Sequence, residues 1–594
     1  MIRTPLRPLA RILRARARGE NPDTIEAENR RARNEALQAR ARLRAERRII
    51  LLAFGFCAGF GLVAMRMGVL AATPVVEPQS AGTATAIQAQ RADITDRRGN
   101  ILATNIVTHA LYAHPRAMID PGKAARALAA IFPDLKEADL LRQFTGTRSF
   151  LWVRRKLSPE EMQAVHEIGE PGLLFAPRET RLYPNGRLAA HVLGGAAFGS
   201  EDVRSAEVIG TAGVERALDA ALRDPARLGE PVRLSLDITV QAAVTEVLGA
   251  GMTMLNARGA AAIVMDARTG EVVAMVSLPD FDPNDRPAPP VSGDPGQSPI
   301  FNRAVQGVYE LGSVMKVFPV AQALELGLVT PETMVNTTGP MTLGRFRVRD
   351  FRNYGPQLSV TDVIVKSSNI GTARLIGPIG TVRQEAFLRN LGFLDPVPLE
   401  LVEAPTGRPR GPARWGEIAA ATISYGHGLA ASPMNLAVAY AALVNGGWKV
   451  TPTLLHGAAP ASPPVRVMSQ HTSDRMRSML RRVVTDGTAK MAEVAGYALG
   501  GKTGTADKLN PAGGYYKDRV MATFAGAFPM TDPRYVIVVS LDEPVETSGT
   551  EARRTAGWTA VPVTGEIVRR IAPLLGLRPD IEAAPFPAIT QVRN

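Results

Sequence analysis

One cysteine in 594 residues is a small allowance, and it falls at Cys57, inside the single long apolar run of the chain. Everything after that run is free of thiols, which excludes disulfides and cysteine-held metal there. Histidine is also scarce, with seven in all, and only His109 and His114 are close in sequence. No H-E-x-x-H or comparable cluster exists, so metal catalysis has no ligand set, and neither a metal nor a cofactor is expected. Internal repeats are lacking as well. Acidic residues are short in one place above all: residues 1–48 carry fourteen Arg against six Asp and Glu.

That segment accounts for most of the net charge of +13. The remainder is mildly basic, so the charge argues against a nucleic-acid partner and reads as a topology signal before an apolar run. The run extends from Ile49 to Met65 and on past Arg66 to Ala72, roughly 36 Å as a helix. Arg66 lies near its far end, where a long side chain reaches the headgroups. A cleaved leader is disfavoured, because 48 residues before the apolar stretch is too long. Residues 1–48 are therefore expected in the cytoplasm, 49–72 as a transmembrane helix, and everything beyond outside the inner membrane.

A linker is expected over 73–90, then a pedestal domain over 91–230. It opens with a strand, a tight turn at Arg98-Gly-Asn100 and a second strand. Helices are expected near Asp120–Phe132 and Ser158–Ile168, and a polar helix over Glu26–Arg48. From 231 the pattern changes to a catalytic domain running to 577. Ile238–Met254 reads as an amphipathic helix. Ala261–Asp266 and Glu271–Ser277 read as a hairpin around Ala267–Gly270, and Arg519–Phe528 and Arg534–Leu541 as late strands. The middle, about 313–500, is mainly helical. The fold class is α+β, an antiparallel sheet against a helical cluster. Residues 578–594 read as a disordered tail.

Three short motifs carry chemistry: Ser313-Val-Met-Lys316, Ser367-Ser-Asn369 and Lys502-Thr-Gly-Thr505. Each alone is weak, since a capping Ser, a loop Asn or an edge strand explains it equally well. Their order and flanks make them strong together. Ser313 opens a helical run after Gly312, where free N–H groups favour a developing negative charge. Lys316, three residues on, shares its face and is a candidate base if burial lowers its pKa. Ser367 is placed to relay a proton, and the Asn369 amide to hold a substrate carbonyl or orient Lys316. Lys502, Thr503 and Thr505 supply a cation and hydroxyls for a terminal carboxylate, and Gly504 lets a ligand backbone approach the strand. Backbone N–H groups of Ser313 and Thr505 are the candidate oxyanion hole.

With those motifs, the chain resembles the class B penicillin-binding proteins, most closely the cell-division transpeptidases of the FtsI type. The resemblance extends over about 90–575. It includes Arg98-Gly99, Arg181-Leu-Tyr-Pro-Asn-Gly186, Gly210-Thr-Ala-Gly-Val-Glu215, Ser277–Asn284, Asn302-Arg-Ala, Ser424-Tyr-Gly-His-Gly428 and Gly513-Gly-Tyr-Tyr516. It implies a serine β-lactamase-like domain on a dimerisation-type pedestal, and D,D-transpeptidation. Ser313 would attack the penultimate D-Ala carbonyl of a stem peptide, and an amine of a neighbouring strand would resolve the acyl-enzyme. Penicillins and other β-lactams would acylate the same serine. The resemblance also implies a polytopic partner, an FtsW-type glycosyltransferase, and other division proteins. Leu311 and Val317 stand where the family often has proline, which touches backbone stiffness rather than chemistry. His427, between two glycines, reads as a packed structural residue, and Arg98, Arg181 and Glu215 as ion-pairing residues of the pedestal.

Rival functions are the elongation-type transpeptidase, a carboxypeptidase or β-lactamase, a β-lactam sensor and an inactive scaffold. The anchor, the pedestal and the FtsI-type stretches weigh against a hydrolase. One apolar span weighs against a sensor. Retention of Ser313, Lys316 and Lys502 weighs against a dead site.

Overall fold

The computed structural model describes residues 7–72, 91–198, 208–227, 230–344, 346–459, 464–510 and 512–580. The linker expected over 73–90 and most of the expected tail lie outside them. Two compact units form, Met1–Ile87 and Gln88–Asn594.

In the first unit the expected polar helix and the apolar run are one continuous helix, α1 (Pro22–Ala72). No Gly-Pro pair or cap interrupts the sequence between them, so nothing ends the backbone ladder at the change of polarity. Among the described residues it is the one helix long and apolar enough to cross a membrane, over Ile50–Met67.

The second unit begins with the pedestal. Strands β1 (Ile94–Thr95) and β2 (Ile101–Ala113) flank the turn at Arg98–Asn100, where Asp96 accepts from the N–H groups of Arg98 and Asn100. Helices α2 (Pro121–Ile131) and α3 (Glu137–Phe144) follow. Then come β3 (Leu151–Leu157), α4 (Pro159–Glu167) and β4 (Leu173–Leu182). Helix α4 starts at a Ser158–Glu161 capping box. Both β3 and β4 pair with β2, and β5 (Val232–Arg233) joins β1 in parallel, tying the pedestal sheet to the start of the catalytic region.

Charge holds this pedestal together. Fully buried Glu215 takes Arg91 Nε at 2.6 Å and Arg181 Nε at 2.7 Å, and Arg91 also meets Asp219 at 2.6 Å. Arg98 pairs instead with Asp237 at 2.7 Å, the residue that caps the helix α5 (Ile238–Met254). These are the ion pairs expected of Arg98, Arg181 and Glu215. Removing one member of such a buried set strands the other charges. Glu215→Gln is expected to destabilise the chain by about 3–5 kcal/mol, measured by chemical denaturation of the full-length protein.

The catalytic sheet is antiparallel with spatial order β10–β11–β12–β6–β7. Its strands are β6 (Gly259–Asp266), β7 (Val272–Leu278), β10 (Gly500–Leu509), β11 (Tyr515–Phe528) and β12 (Tyr535–Asp542). Strands β7 and β12 are buried at every position, so both sheet faces are covered. Helices α5 and α12 (Ala560–Leu574) pack together against the sheet, and α10 (Pro433–Val444) and α11 (Gln470–Thr485) form a second layer on it. The sequence pointed to one helical cluster; unbroken apolar strands such as Ala260–Met265 require two layers. The remaining pieces around the site are the short strands β8 (Tyr309–Glu310) and β9 (Ala430–Ala431) and the helices α6 (Val317–Glu325), α7 (Val360–Val365), α8 (Asn369–Ile379) and α9 (Glu417–Ser424).

Candidate active site

Strand β10 is the outer strand of its sheet, and its free edge meets the turn that carries Ser313. Gly312–Lys316 is a tight 3-10 segment that runs directly into α6. Two glycines set how closely the pieces approach. A Cβ on Gly504 would lie 2.4 Å from the Leu311 carbonyl oxygen, and one on Gly312, whose φ is +62°, would lie 2.5 Å from that of Thr505. Only glycine lets the strand and the Ser313 turn touch backbone to backbone. From α10, Tyr440 donates to the Val314 carbonyl at 2.9 Å and fixes the turn from beneath.

Ser367 sits between the other two motifs. Lys316 Nζ donates to its carbonyl at 2.5 Å and to its Oγ at 3.1 Å, and Lys502 Nζ donates to the same Oγ at 2.9 Å. Both lysines are fully buried. Desolvation pushes Lys316 down to about 7, opposed by the Asp350 carboxylate. Burial, and then the charge of Lys316, hold Lys502 well below the usual lysine range. Two positive charges on one hydroxyl are one too many, so the pair favours a state with a neutral amine.

The backbone explains how Ser367 reaches that place. Helix α7 ends in a Schellman motif, with Ser368 N–H donating to Val363 O at 2.9 Å and Ser367 N–H to Ile364 O at 3.2 Å. Ser367 holds the left-handed position, φ +63°, which glycine usually fills. A serine there stores about 1–3 kcal/mol of strain, a pattern found at functional sites. The next helix starts at once: Ser368 caps α8, and Asp350 accepts from Asn369 N–H at 2.5 Å, Ile370 N–H at 3.0 Å and Ser368 Oγ at 2.7 Å.

The expected residues therefore come together with one difference. The Asn369 side-chain amide donates to the Arg349 carbonyl at 2.8 Å, so Lys316 is oriented by Ser367 and not by Asn369. Its place at the first position of α8 turns that amide toward the preceding loop. Thr503 shares a 2.7 Å hydrogen bond with Thr488, and Thr505 Oγ1 accepts from Ala556 N–H at 3.0 Å, so both hydroxyls are positioned. His427 lies between the rings of Tyr425 and Tyr515, with centroids at 5.6 and 5.9 Å, and burial lowers its pKa.

Two participants escaped the sequence reading. Asp350 lies in a loop without a motif. Glu310 accepts from Tyr515 OH at 3.0 Å and from Gly428 N–H at 2.8 Å, which ties the start of β11 and the Ser424–Gly428 stretch to the approach to Ser313. Glu310 stands three residues before Ser313 and was the only available signal.

A serine on a helix-entry turn, a lysine pair around a second hydroxyl and an open strand edge define a serine acyltransferase site of the penicillin-binding class. Residues 260–562 match the penicillin binding protein transpeptidase domain, and residues 86–226 the penicillin-binding protein dimerisation domain. The chain is 35% identical to the probable peptidoglycan D,D-transpeptidase FtsI of Caulobacter vibrioides, covering 89% of this chain and 88% of that protein. It is 27% identical to the peptidoglycan D,D-transpeptidase FtsI of Escherichia coli, covering 83% and 85%. Among solved structures, penicillin binding protein 3 of Mycobacterium tuberculosis complexed with ampicillin superposes with a TM-score of 0.64 at 27% identity, covering 84% of this chain and 98% of that one. The chain belongs to the class B penicillin-binding proteins of the FtsI type.

Proposed function

We propose that this serine-type peptidoglycan D,D-transpeptidase works at the division septum, with Ser313 as its nucleophile. The observation that carries the site reading is the Ser367 hydroxyl held between Lys316 and Lys502 beside the Ser313 turn. A stem peptide adds to the free edge of β10, with its terminal carboxylate toward Lys502, Thr503 and Thr505. That carboxylate stabilises the charge on Lys502 and leaves Lys316 neutral. Lys316 then takes the Ser313 proton as Oγ attacks the penultimate D-Ala carbonyl, and the N–H groups of Ser313 and Thr505 receive the oxyanion. Ser367 passes a proton to the departing D-Ala amine. An amine of a neighbouring stem peptide attacks the acyl-enzyme, restores Ser313 and completes the cross-link. A β-lactam acylates Ser313 by the same attack and has no leaving group that diffuses away. Asn369 and Gly504 shape the two sides of the cleft.

The apolar stretch of α1 supports a single pass through the inner membrane, with the Arg-rich residues 1–48 in the cytoplasm and the catalytic region in the periplasm. Contact with an FtsW-type glycosyltransferase and other division proteins through that helix and the pedestal belongs to the same reading. Depletion of the protein tests the septal role. Filamentous cells are expected; rounded cells that still divide would assign it to elongation.

A further inference from the structure

The pedestal sheet has helices on one face only. There Leu111, Ala113, Leu151 and Leu173 pack with α2 and α3 in a core of their own. On the opposite face Tyr112 stands across from Trp152 of β3 and Leu174 of β4. Tyr112, His114, Phe150 and Trp152 form one cluster of rings, with centroids 5.0 to 5.9 Å apart. Phe150 is 41% exposed and Trp152 38%. An antiparallel sheet with a solvated face normally shows polar side chains there, and exposed apolar patches mark contact surfaces.

Cations rim the cluster. Residues 145–157 carry four basic residues and no acid. The register shift between Leu111 and Tyr112 sets Arg154 opposite Leu111, so it turns to the core side, over the Phe132 ring and paired with Asp134. Arg155 then falls on the aromatic side with Arg178 of β4, whose guanidinium lies 5.2 Å from the Trp152 ring centre. Burial, and then the charge of Arg155, lower the pKa of Arg178. Exposed Arg148 precedes Phe150 by two residues. Among the described residues neither Arg148 nor Arg155 has a carboxylate in ion-pair range. A face of one charge repels its own copy, which argues against self-association as the reason for the rings.

Rings interleaved with unpaired cations suit a polymer that offers flat apolar faces together with negative charge. In the topology proposed above the pedestal shares a compartment with the cell wall, whose pyranose rings present apolar C–H faces and whose stem peptides carry carboxylates. We propose that the open face of the pedestal sheet binds the glycan strand of peptidoglycan, with Phe150 and Trp152 stacking on sugar rings and Arg148 and Arg155 meeting stem-peptide carboxylates. A strand held there keeps its other stem peptides tethered to the enzyme, at an effective concentration that a free peptide does not reach. This site lies outside the catalytic cleft and rests on the wall polymer being the substrate.

The test is co-sedimentation of the full-length protein in detergent with purified peptidoglycan sacculi, after acylation with benzylpenicillin so that the catalytic cleft is occupied. The wild type is expected to sediment. The ring variant Phe150→Ala/Trp152→Ala and the arginine variant Arg148→Glu/Arg155→Glu are each expected to need about tenfold more sacculi for half binding, with acylation by benzylpenicillin unchanged. Glycan strands stripped of stem peptides by an amidase are expected to hold the wild type and the arginine variant equally and to lose the ring variant. A wild type that ignores sacculi, a ring variant that binds them as the wild type does, or stripped strands that bind nothing overturns the proposal. Ring-dependent self-association, binding of single-stranded DNA or capture of a division protein, with sacculus binding unaffected by the rings, also overturns it and assigns the face to that partner. If the ring variant does not fold, the arginine variant decides, and sacculus binding equal to the wild type then overturns the proposal. A wild type that benzylpenicillin does not acylate overturns the Ser313 reading alone, and sacculus binding by the untreated protein and its variants then decides this one.

Discussion

Full-length protein carrying Ser313→Ala takes up no fluorescent penicillin, and peptide mapping of the labelled wild type recovers the label on Ser313. The expected loss in acylation rate is about 10^4-fold or more, the scale on which a serine hydrolase loses activity when its nucleophile is removed. Nothing else near the turn can substitute. Ser367 is occupied by two lysines, and Ser368 is committed to Asp350 and to capping α8. Removing one half-buried hydroxyl costs the fold little, so the variant melts with the wild type. Label retained by Ser313→Ala would show that another residue is acylated.

Lys316→Gln is expected to slow acylation by about 10^2- to 10^4-fold, the usual range for a general base. The pH profile gives a sharper reading than the magnitude. Desolvation disfavours the charged amine and brings Lys316 to about 7. The active form is the neutral one, so the wild-type rate rises from pH 5 to 8 with a midpoint near 7 and flattens above it. The opposite slope would mean that the charged amine is required, which sinks the general-base role. In Lys316→Gln the residual rate loses the inflection. An inflection that persists would point to another group, Lys502 or His427, both of which burial shifts below their ordinary ranges.

Local pattern was enough for much of this molecule and failed in identifiable places. Helix α5 occupies the span that its periodicity indicates, Ile238–Met254, and the hairpin of β6 and β7 falls within two residues of its expected limits. Ser313, Lys316 and the Lys502–Thr505 strand were legible because each motif is contiguous and lies on a regular element. Ser367 was legible as a residue but not as a conformation. A left-handed serine is set by the two helices that abut there, and composition gives no hint of it. Asp350 and the Glu310–Tyr515 tie join segments 19 and 205 residues apart, beyond the reach of any short-range pattern. The Asn369 amide was expected either to hold a substrate carbonyl or to orient Lys316, and the start of α8 turns it to the Arg349 carbonyl.

The open edge of β10 has a cost for solubility. Outer strands with unpaired N–H and C=O groups are templates for self-association, and proteins usually blunt them with proline, charge or a covering element. In the proposed mechanism a cover over β10 would shut out the stem peptide. The register of β10 with β11 breaks between Asp507 and Leu509, so the regular part of the edge ends soon after Thr505. A register shift of this kind interrupts the regular ladder. What is left can zip to a ligand a few residues long and offers too little length for a second copy of the sheet to propagate from it.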